Sequence, residues 1–253
     1  MGNPVVHSRS PAIFQAAFAA AGIEGEYHAR LVEADGVRAC FDEVRRGFLD
    51  GFNITMPHKA LAASLCDRLE PEAEAAGSVN TVVREKDVLV GHSTDIAAVR
   101  DCWRSLPPEG PVLILGAGGA AAATAVALNG RRQGSLYIAS RTFGHGSSLA
   151  ERLGIELGEV HWGVPVVMAT VVNCTPIGME GEVLPAEVLA LASGLLDMPY
   201  RASPTPAVAT ARDLGLPVVD GLDLLVTQAG HAFRLWTGME PPIQAMRQAV
   251  ENP

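Results

Sequence analysis

The stretch that most limits what this chain can fold into is VLILGAGGAAAATAVAL, residues 112–128. Four apolar residues without polar alternation read as a strand buried on both faces, as in a parallel sheet. The strand runs directly into Gly116-Ala117-Gly118-Gly119, and an alanine-rich helix follows with no room for a longer loop. The spacing G-x-G-x-x-A is met by Gly116, Gly118 and Ala121. The first glycine allows the tight turn, and the second lets backbone approach a pyrophosphate. The small residue at the third position lets helix and strand pack closely. The N–H groups that open the helix then face the diphosphate. The pattern predicts a Rossmann-type dinucleotide-binding unit.

The next strand, ending GSLYIASRT, bears on which dinucleotide. NAD sites usually place an acid at this strand end to take the ribose 2′-hydroxyl. This chain has Ser140-Arg141-Thr142 there instead. A guanidinium flanked by hydroxyls suits a 2′-phosphate, which an acid would repel. NADP is therefore the expected cofactor in preference to NAD.

Composition narrows the partners. A net charge of −9 argues against non-specific binding to nucleic acid or an anionic membrane. Cys40, Cys66, Cys102 and Cys174 are scattered with no metal spacing, so they read as reduced thiols of a cytoplasmic protein, and no metal site is expected. No signal peptide or membrane span is expected.

Upstream of the glycine loop the chain alternates strand and helix patterns, which predicts a mostly parallel sheet with helices on its faces. Ser10-Pro11 opens a helix closed by Gly22, with Ser10 as the expected cap. EYHARLVE reads as a strand, and residues 78–95 as two strands joined by Glu85-Lys86-Asp87. Pro107–Pro111 is the expected linker, and two helices without a following strand end the chain. These patterns together predict two α/β domains, over 1–98 and, as a Rossmann domain, over 99–220, with closing helices over 221–253 that could pack back on the first.

The first region also carries polar residues that a packed core does not need. Asn53, Asn80 and Asp95 fall where predicted strands end or helices begin, which in open α/β sheets is where ligands bind. Lys59 could pair with Asp95 there, the lysine handling the proton that accompanies hydride transfer.

GNPVVHSRSP, GFNITMPHK, AAGSVNTVV, GHSTD, LGAGGA, VVNCTPIGM, LLDMPYRASPTP and GLDLLVTQAGHAFRLWTG occur in the order seen in shikimate dehydrogenases, which the chain resembles over nearly its whole length. The resemblance implies reversible reduction of 3-dehydroshikimate to shikimate with NADPH, by a monomer or homodimer. It implies that Lys59 and Asp95 are the catalytic pair. Ser8 and Ser10 would bind the substrate carboxylate, and Asn53, Thr55, Asn80 and Gln228 the ring hydroxyls, with Tyr200 at the cleft. Gly116, Ala117, Gly118, Gly119 and Ala120 would wrap the pyrophosphate, and Ser140, Arg141 and Thr142 the 2′-phosphate. Asn173, Thr175 and Met179 would lie along the cofactor towards the nicotinamide.

Some positions depart from the family pattern. Ser140 stands where Asn is usual, Gly144 where a second basic residue is common, Ser93 where Asn is usual, and Phe14 where His is common. The family also has a strand immediately before G-N-P, so the first sheet is expected to lack its first strand and expose strand edges. Two other readings stay open: a quinate/shikimate dehydrogenase using NAD, and a non-catalytic nucleotide-binding homologue.

Overall fold

A computed structural model describes residues 1–130 and 134–251, so residues 252–253 of the expected C-terminal segment lie outside the described residues. In chain order the elements are α1 (Ser10–Ala21), α2 (Val37–Arg45), β1 (Gly51–Asn53), α3 (Lys59–Leu65), β2 (Arg68–Leu69), α4 (Pro71–Ala76), β3 (Thr81–Glu85), β4 (Val88–His92) and α5 (Thr94–Cys102). They continue with β5 (Val112–Leu115), α6 (Gly119–Leu128), β6 (Leu136–Ser140), α7 (His145–Leu153), β7 (Gly158–His161), β8 (Thr170–Asn173), α8 (Ala186–Ala190) and β9 (Gly194–Asp197). The last are α9 (Pro206–Asp213), β10 (Val218–Val219), α10 (Gly221–Thr237) and α11 (Ile243–Glu251). The chain forms two units, residues 1–98 with 225–253, and residues 99–224.

The first unit holds a four-stranded sheet in the order β1-β3-β4-β2. Its pairs are antiparallel except β2–β4, so the expected mostly parallel sheet is not what forms. The reason is local. Only Lys86-Asp87 separates β3 from β4, and a turn that short can join antiparallel neighbours alone. Lys86 takes a left-handed conformation there, with φ of 58°. Phe41 and Phe52 meet edge-on at 5.0 Å in the core between α2 and the sheet.

Two further expectations give way here, and a third, the exposed sheet edge, does so in part, although no strand precedes Gly2 as expected. EYHARLVE is extended but joins no ladder beyond a single bridge from Leu31 to Gly2, because only that short segment lies opposite. Arg9, not Ser10, occupies the cap position of α1, and Ser8 Oγ accepts the Ser10 N–H at 3.4 Å. The edge beside residues 53–56 is occupied by the first residues themselves. The Met1 amine donates to Asn53 O at 2.6 Å, Thr55 N to Met1 O at 2.9 Å, and Asn3 N to Met56 O at 3.1 Å.

The late helices complete this unit. The Trp236 indole on α10 donates to Val82 O at 3.1 Å, against the face where a side chain at Gly51 would collide with it. Met246 and Val250 on α11 are buried, and Arg9 at the start of α1 donates to Val250 O at 3.5 Å.

The second unit is a six-stranded sheet in the order β10-β9-β8-β5-β6-β7, parallel throughout. Strand order reverses between β5 and β8, which makes the carboxyl end of β5 a topological switch point. Pro107–Pro111, expected to link the domains, lies inside this unit, where Pro107 packs against Gly194 at the start of β9. Leu113, Leu115, Val171 and Leu195 form its core with the helices on that face. Among the described residues no helix is long and apolar enough to cross a membrane, and no group of three or more potential ligands could hold a metal ion.

Candidate active site

In the first unit a connected polar network gathers several of the residues singled out in the sequence. Lys59, the first residue of α3, and Asp95, the second of α5, lie with Nζ 2.6 Å from Oδ2. Their side chains are only 17% and 15% exposed, so the pair is shielded yet reachable. An acid in the first turn of α5 also meets the positive end of that helix. Asn80 then ties this pair to the sheet. Its Nδ2 donates to Asp95 Oδ1 and Thr94 Oγ1, both at 2.9 Å, and its Oδ1 accepts the Thr94 N–H at 2.7 Å. Gln228 on α10 closes the network, its Oε1 accepting from Thr94 Oγ1 at 3.3 Å and from Asn80 Nδ2 at 3.4 Å. Such an arrangement leaves the carboxylate oriented by two separate donors, and the lysine with protons it can still give.

Asn53 stands one layer behind. Its Nδ2 donates to Thr81 Oγ1 at 2.9 Å and Asn80 O at 3.3 Å, while its Oδ1 accepts from the Tyr27 hydroxyl at 2.9 Å. Both amide protons are thereby committed to the protein, so Asn53 braces Asn80 more than it offers itself to a ligand. Thr55 is half-buried in the loop leading to α3, and its carbonyl accepts the His58 N–H at 3.0 Å. Ser8 and Ser10 sit at the start of α1, half-buried. His58 is buried with Nε2 2.7 Å from Val32 O, and His92 ends β4, where burial lowers its pKa. His7 is exposed.

Thr94, Thr81 and Tyr27 were not singled out by the sequence. Thr94 had a readable signal, a hydroxyl immediately before an acid at a helix start. Tyr27 had none. Its ring stacks on Phe14 at 4.3 Å, the position where the family commonly has His, and only the fold aims its hydroxyl at Asn53.

In the second unit the glycine loop follows β5 as expected. Gly116 adopts φ of 107°, a left-handed conformation that favours glycine. A side chain at Gly118 would meet nothing within 4 Å, so open space lies in front of the residue that precedes α6. The first N–H groups of a helix have no partner within it, and Gly119, Ala120 and Ala121 supply them here. These residues fit a dinucleotide phosphate. Ser140 ends β6 and is buried, its hydroxyl turned to Thr142 O at 2.7 Å, which shapes the loop presenting exposed Arg141 and Thr142.

Asn173 is entirely buried. Its Nδ2 donates to Asp197 Oδ1 at 2.7 Å and Ile177 O at 3.0 Å, and its Oδ1 accepts from Thr175 N at 3.1 Å and Thr175 Oγ1 at 2.6 Å. It therefore holds the 173–178 turn, and with it Thr175 and Met179, in shape from below. Asp197, also missed in the sequence, is buried and accepts the Thr205 hydroxyl at its other oxygen. Burial pushes its pKa up to about 6, against the hydrogen bonds from Thr205 and Asn173. Tyr200 follows β9 in this unit and is half-buried.

Residues 1–82 match the shikimate dehydrogenase substrate binding domain, and residues 221–251 match the shikimate 5′-dehydrogenase C-terminal domain. A shikimate dehydrogenase (NADP(+)) from Thermus thermophilus is 37% identical over all of this chain and 96% of its own length. The chain belongs to the shikimate dehydrogenase family. A second member, the shikimate dehydrogenase (NADP(+)) of Geobacter sp. strain M21, is 36% identical over 99% of this chain and 92% of its own. Among solved structures, a shikimate 5-dehydrogenase from Thermus thermophilus in complex with NADP(H) and shikimate superposes with a TM-score of 0.87 at 35% identity. That match covers 98% of this chain and 96% of the other.

Proposed function

We propose that this chain is an NADP-dependent shikimate dehydrogenase, interconverting 3-dehydroshikimate and shikimate. The observation that carries the reading is the shielded Lys59–Asp95 pair, 2.6 Å apart and held by Asn80. A lone buried ion pair is costly and needs compensating bonds. This one has them, and it keeps a lysine within reach of a ligand. NADPH, when bound, supplies the hydride that reaches the carbonyl carbon. Lys59 gives the proton to the carbonyl oxygen in the reduction and takes it from the hydroxyl in the oxidation. Asp95 keeps the lysine ammonium placed, and Asn80 keeps Asp95 from turning away.

Ser8 and Ser10 hold the substrate carboxylate in this reading, and Thr55, Asn80 and Gln228 its ring hydroxyls, with Asn53 supporting and Tyr200 at the edge. Gly116, Ala117, Gly118, Gly119 and Ala120 receive the pyrophosphate, and Ser140, Arg141 and Thr142 the 2′-phosphate. Asn173, Thr175 and Met179 flank the nicotinamide half. Residues 1–98 act as the substrate domain, 99–220 as the nucleotide domain and 221–253 as the returning helices. The enzyme works in the cytoplasm as a monomer or homodimer.

The test is steady-state oxidation of shikimate and quinate with NADP and NAD, for the parent and Lys59→Ala. We expect the highest kcat/KM with shikimate and NADP, and a kcat loss of roughly 10²-fold or more in the variant with substrate binding kept. Highest kcat/KM with quinate and NAD would reassign the specificity. A parent protein that binds nucleotide without turnover would place the chain among non-catalytic homologues.

A further inference from the structure

The loop that follows β6 is folded down onto the end of β7, and it meets an acid there. Glu159, the second residue of β7, accepts four hydrogen bonds, one from Gly144 in this loop and three from the first turn of α7 that follows it. Its Oε1 takes the Gly144 and Gly146 N–H groups, each at 2.9 Å. Its Oε2 takes the Ser147 N–H at 3.0 Å and the Ser147 hydroxyl at 2.6 Å. Two residues further along β7, His161 stacks on Phe143 with ring centroids 4.3 Å apart. In the β6–β7 ladder Ile138 lies opposite Glu159 and Ser140 opposite His161. The segment 141–144 is thus pinned at two successive points, one of them a carboxylate.

Chain geometry limits how far that carboxylate lies from Thr142. Two residues span at most about 7 Å, and Glu159 Oε1 is 2.9 Å from Gly144 N. The carboxylate therefore lies within about 10 Å of the Thr142 backbone, roughly one Debye length at physiological salt. Over residues 140–147 and 158–161 the permanent charges are one cation, Arg141, and one anion, Glu159. The hydrogen bonds that keep Glu159 ionised also keep it in place.

We propose that Glu159 is a specificity-determining residue for the cofactor: fixed behind the 141–144 loop, its negative charge opposes the 2′-phosphate of NADP and lowers this enzyme's preference for NADP over NAD. The inference rests on the reading that Ser140, Arg141 and Thr142 receive the 2′-phosphate. NAD has no charge at that position, so the effect falls on one cofactor alone.

The experiment measures kcat/KM for NADP and for NAD in four proteins: parent, Glu159→Gln, Glu159→Asp and Arg141→Ala. Gln keeps an acceptor oxygen for the Gly144 and Gly146 N–H groups and removes the charge. The expected result is a rise in the NADP-to-NAD ratio by roughly threefold to tenfold, shrinking as salt is raised. Asp keeps the charge while disturbing the loop, and its ratio is expected to stay within about twofold of the parent. A melting curve for each variant identifies any that fail to fold, and the Asp variant then separates charge from loop distortion. An unchanged or lower ratio in Glu159→Gln, or an equal rise in Glu159→Asp, overturns the proposal. Arg141→Ala is expected to cut the ratio. If it does so while Glu159→Gln is inert, only this proposal fails. If Arg141→Ala leaves the ratio unchanged, the 2′-phosphate reading fails as well.

Discussion

The two units make their sites from different material. In the first, the candidate site is a side-chain network drawn from distant parts of the chain: Gln228 reaches Thr94 and Asn80 across 134 and 148 residues. In the second, the candidate cofactor surface is backbone, a glycine turn and a helix start within residues 116–121. A network shares its energy among its members, so losing one leaves the others unpaired. A backbone surface depends on what is absent, namely side chains that would fill it. The first should fail through stability and chemistry together, and the second through binding with the fold intact.

Asn80→Ala probes the first unit and carries the largest expected effect. The change strands the Thr94 N–H and one oxygen of Asp95 in a buried setting. Stability should fall by about 3 kcal/mol, and kcat should fall with it. Denaturant unfolding and steady-state rates measure the two. Loss of activity at full stability would show that the network is not shared as described.

Asp197 tests whether the second unit also contains a shared network, one that serves the fold. The folded chain holds its proton up to about 6, whereas the ordinary value is 3.8. Between those pH values the folded state binds more protons than the unfolded state. The stability contributed by the protonated carboxyl is present at low pH and is lost as pH rises through about 6. Asp197→Asn removes that titration, so it should gain on the parent by roughly 2 kcal/mol between pH 4 and pH 7. Parallel stability curves for the two proteins would show that Asp197 does not titrate in this range.

Gly118→Val has the smallest expected effect and sharpens the contrast most. The residue has φ of −90° and open space around its missing side chain, so the melting temperature should hardly move. Cofactor affinity should weaken about tenfold, near 1.4 kcal/mol, because in the proposed reading the new side chain stands where backbone approaches the pyrophosphate. Titration calorimetry with NADP measures it. A large drop in melting temperature instead would mean that this glycine serves packing.

The glycine loop and the strands β5 and β6 were legible in the sequence, because each depends on residues close together in the chain; Lys59 and Asp95, 36 residues apart, were legible as chemical groups at element ends. Strand β7 was not, since Gly158–His161 lacks an apolar run and becomes a strand only by pairing with β6. The same holds for EYHARLVE, whose alternation is that of a strand but whose partner is too short to form a ladder.

What the sequence determined by itself was local: tight turns at Gly116 and Gly22, a turn around residues 85–87, and which chemical groups stand at strand ends. Steric limits on φ and ψ act between neighbours, so they can be read from neighbours. Only the tertiary structure decided which polar groups became bonded partners. It aimed Tyr27 at Asn53, brought Gln228 to Asn80, committed Asn173 to Asp197, and set Glu159 behind the Arg141 loop. A buried donor must find an acceptor wherever the packed chain supplies one, and packing is a property of the whole fold.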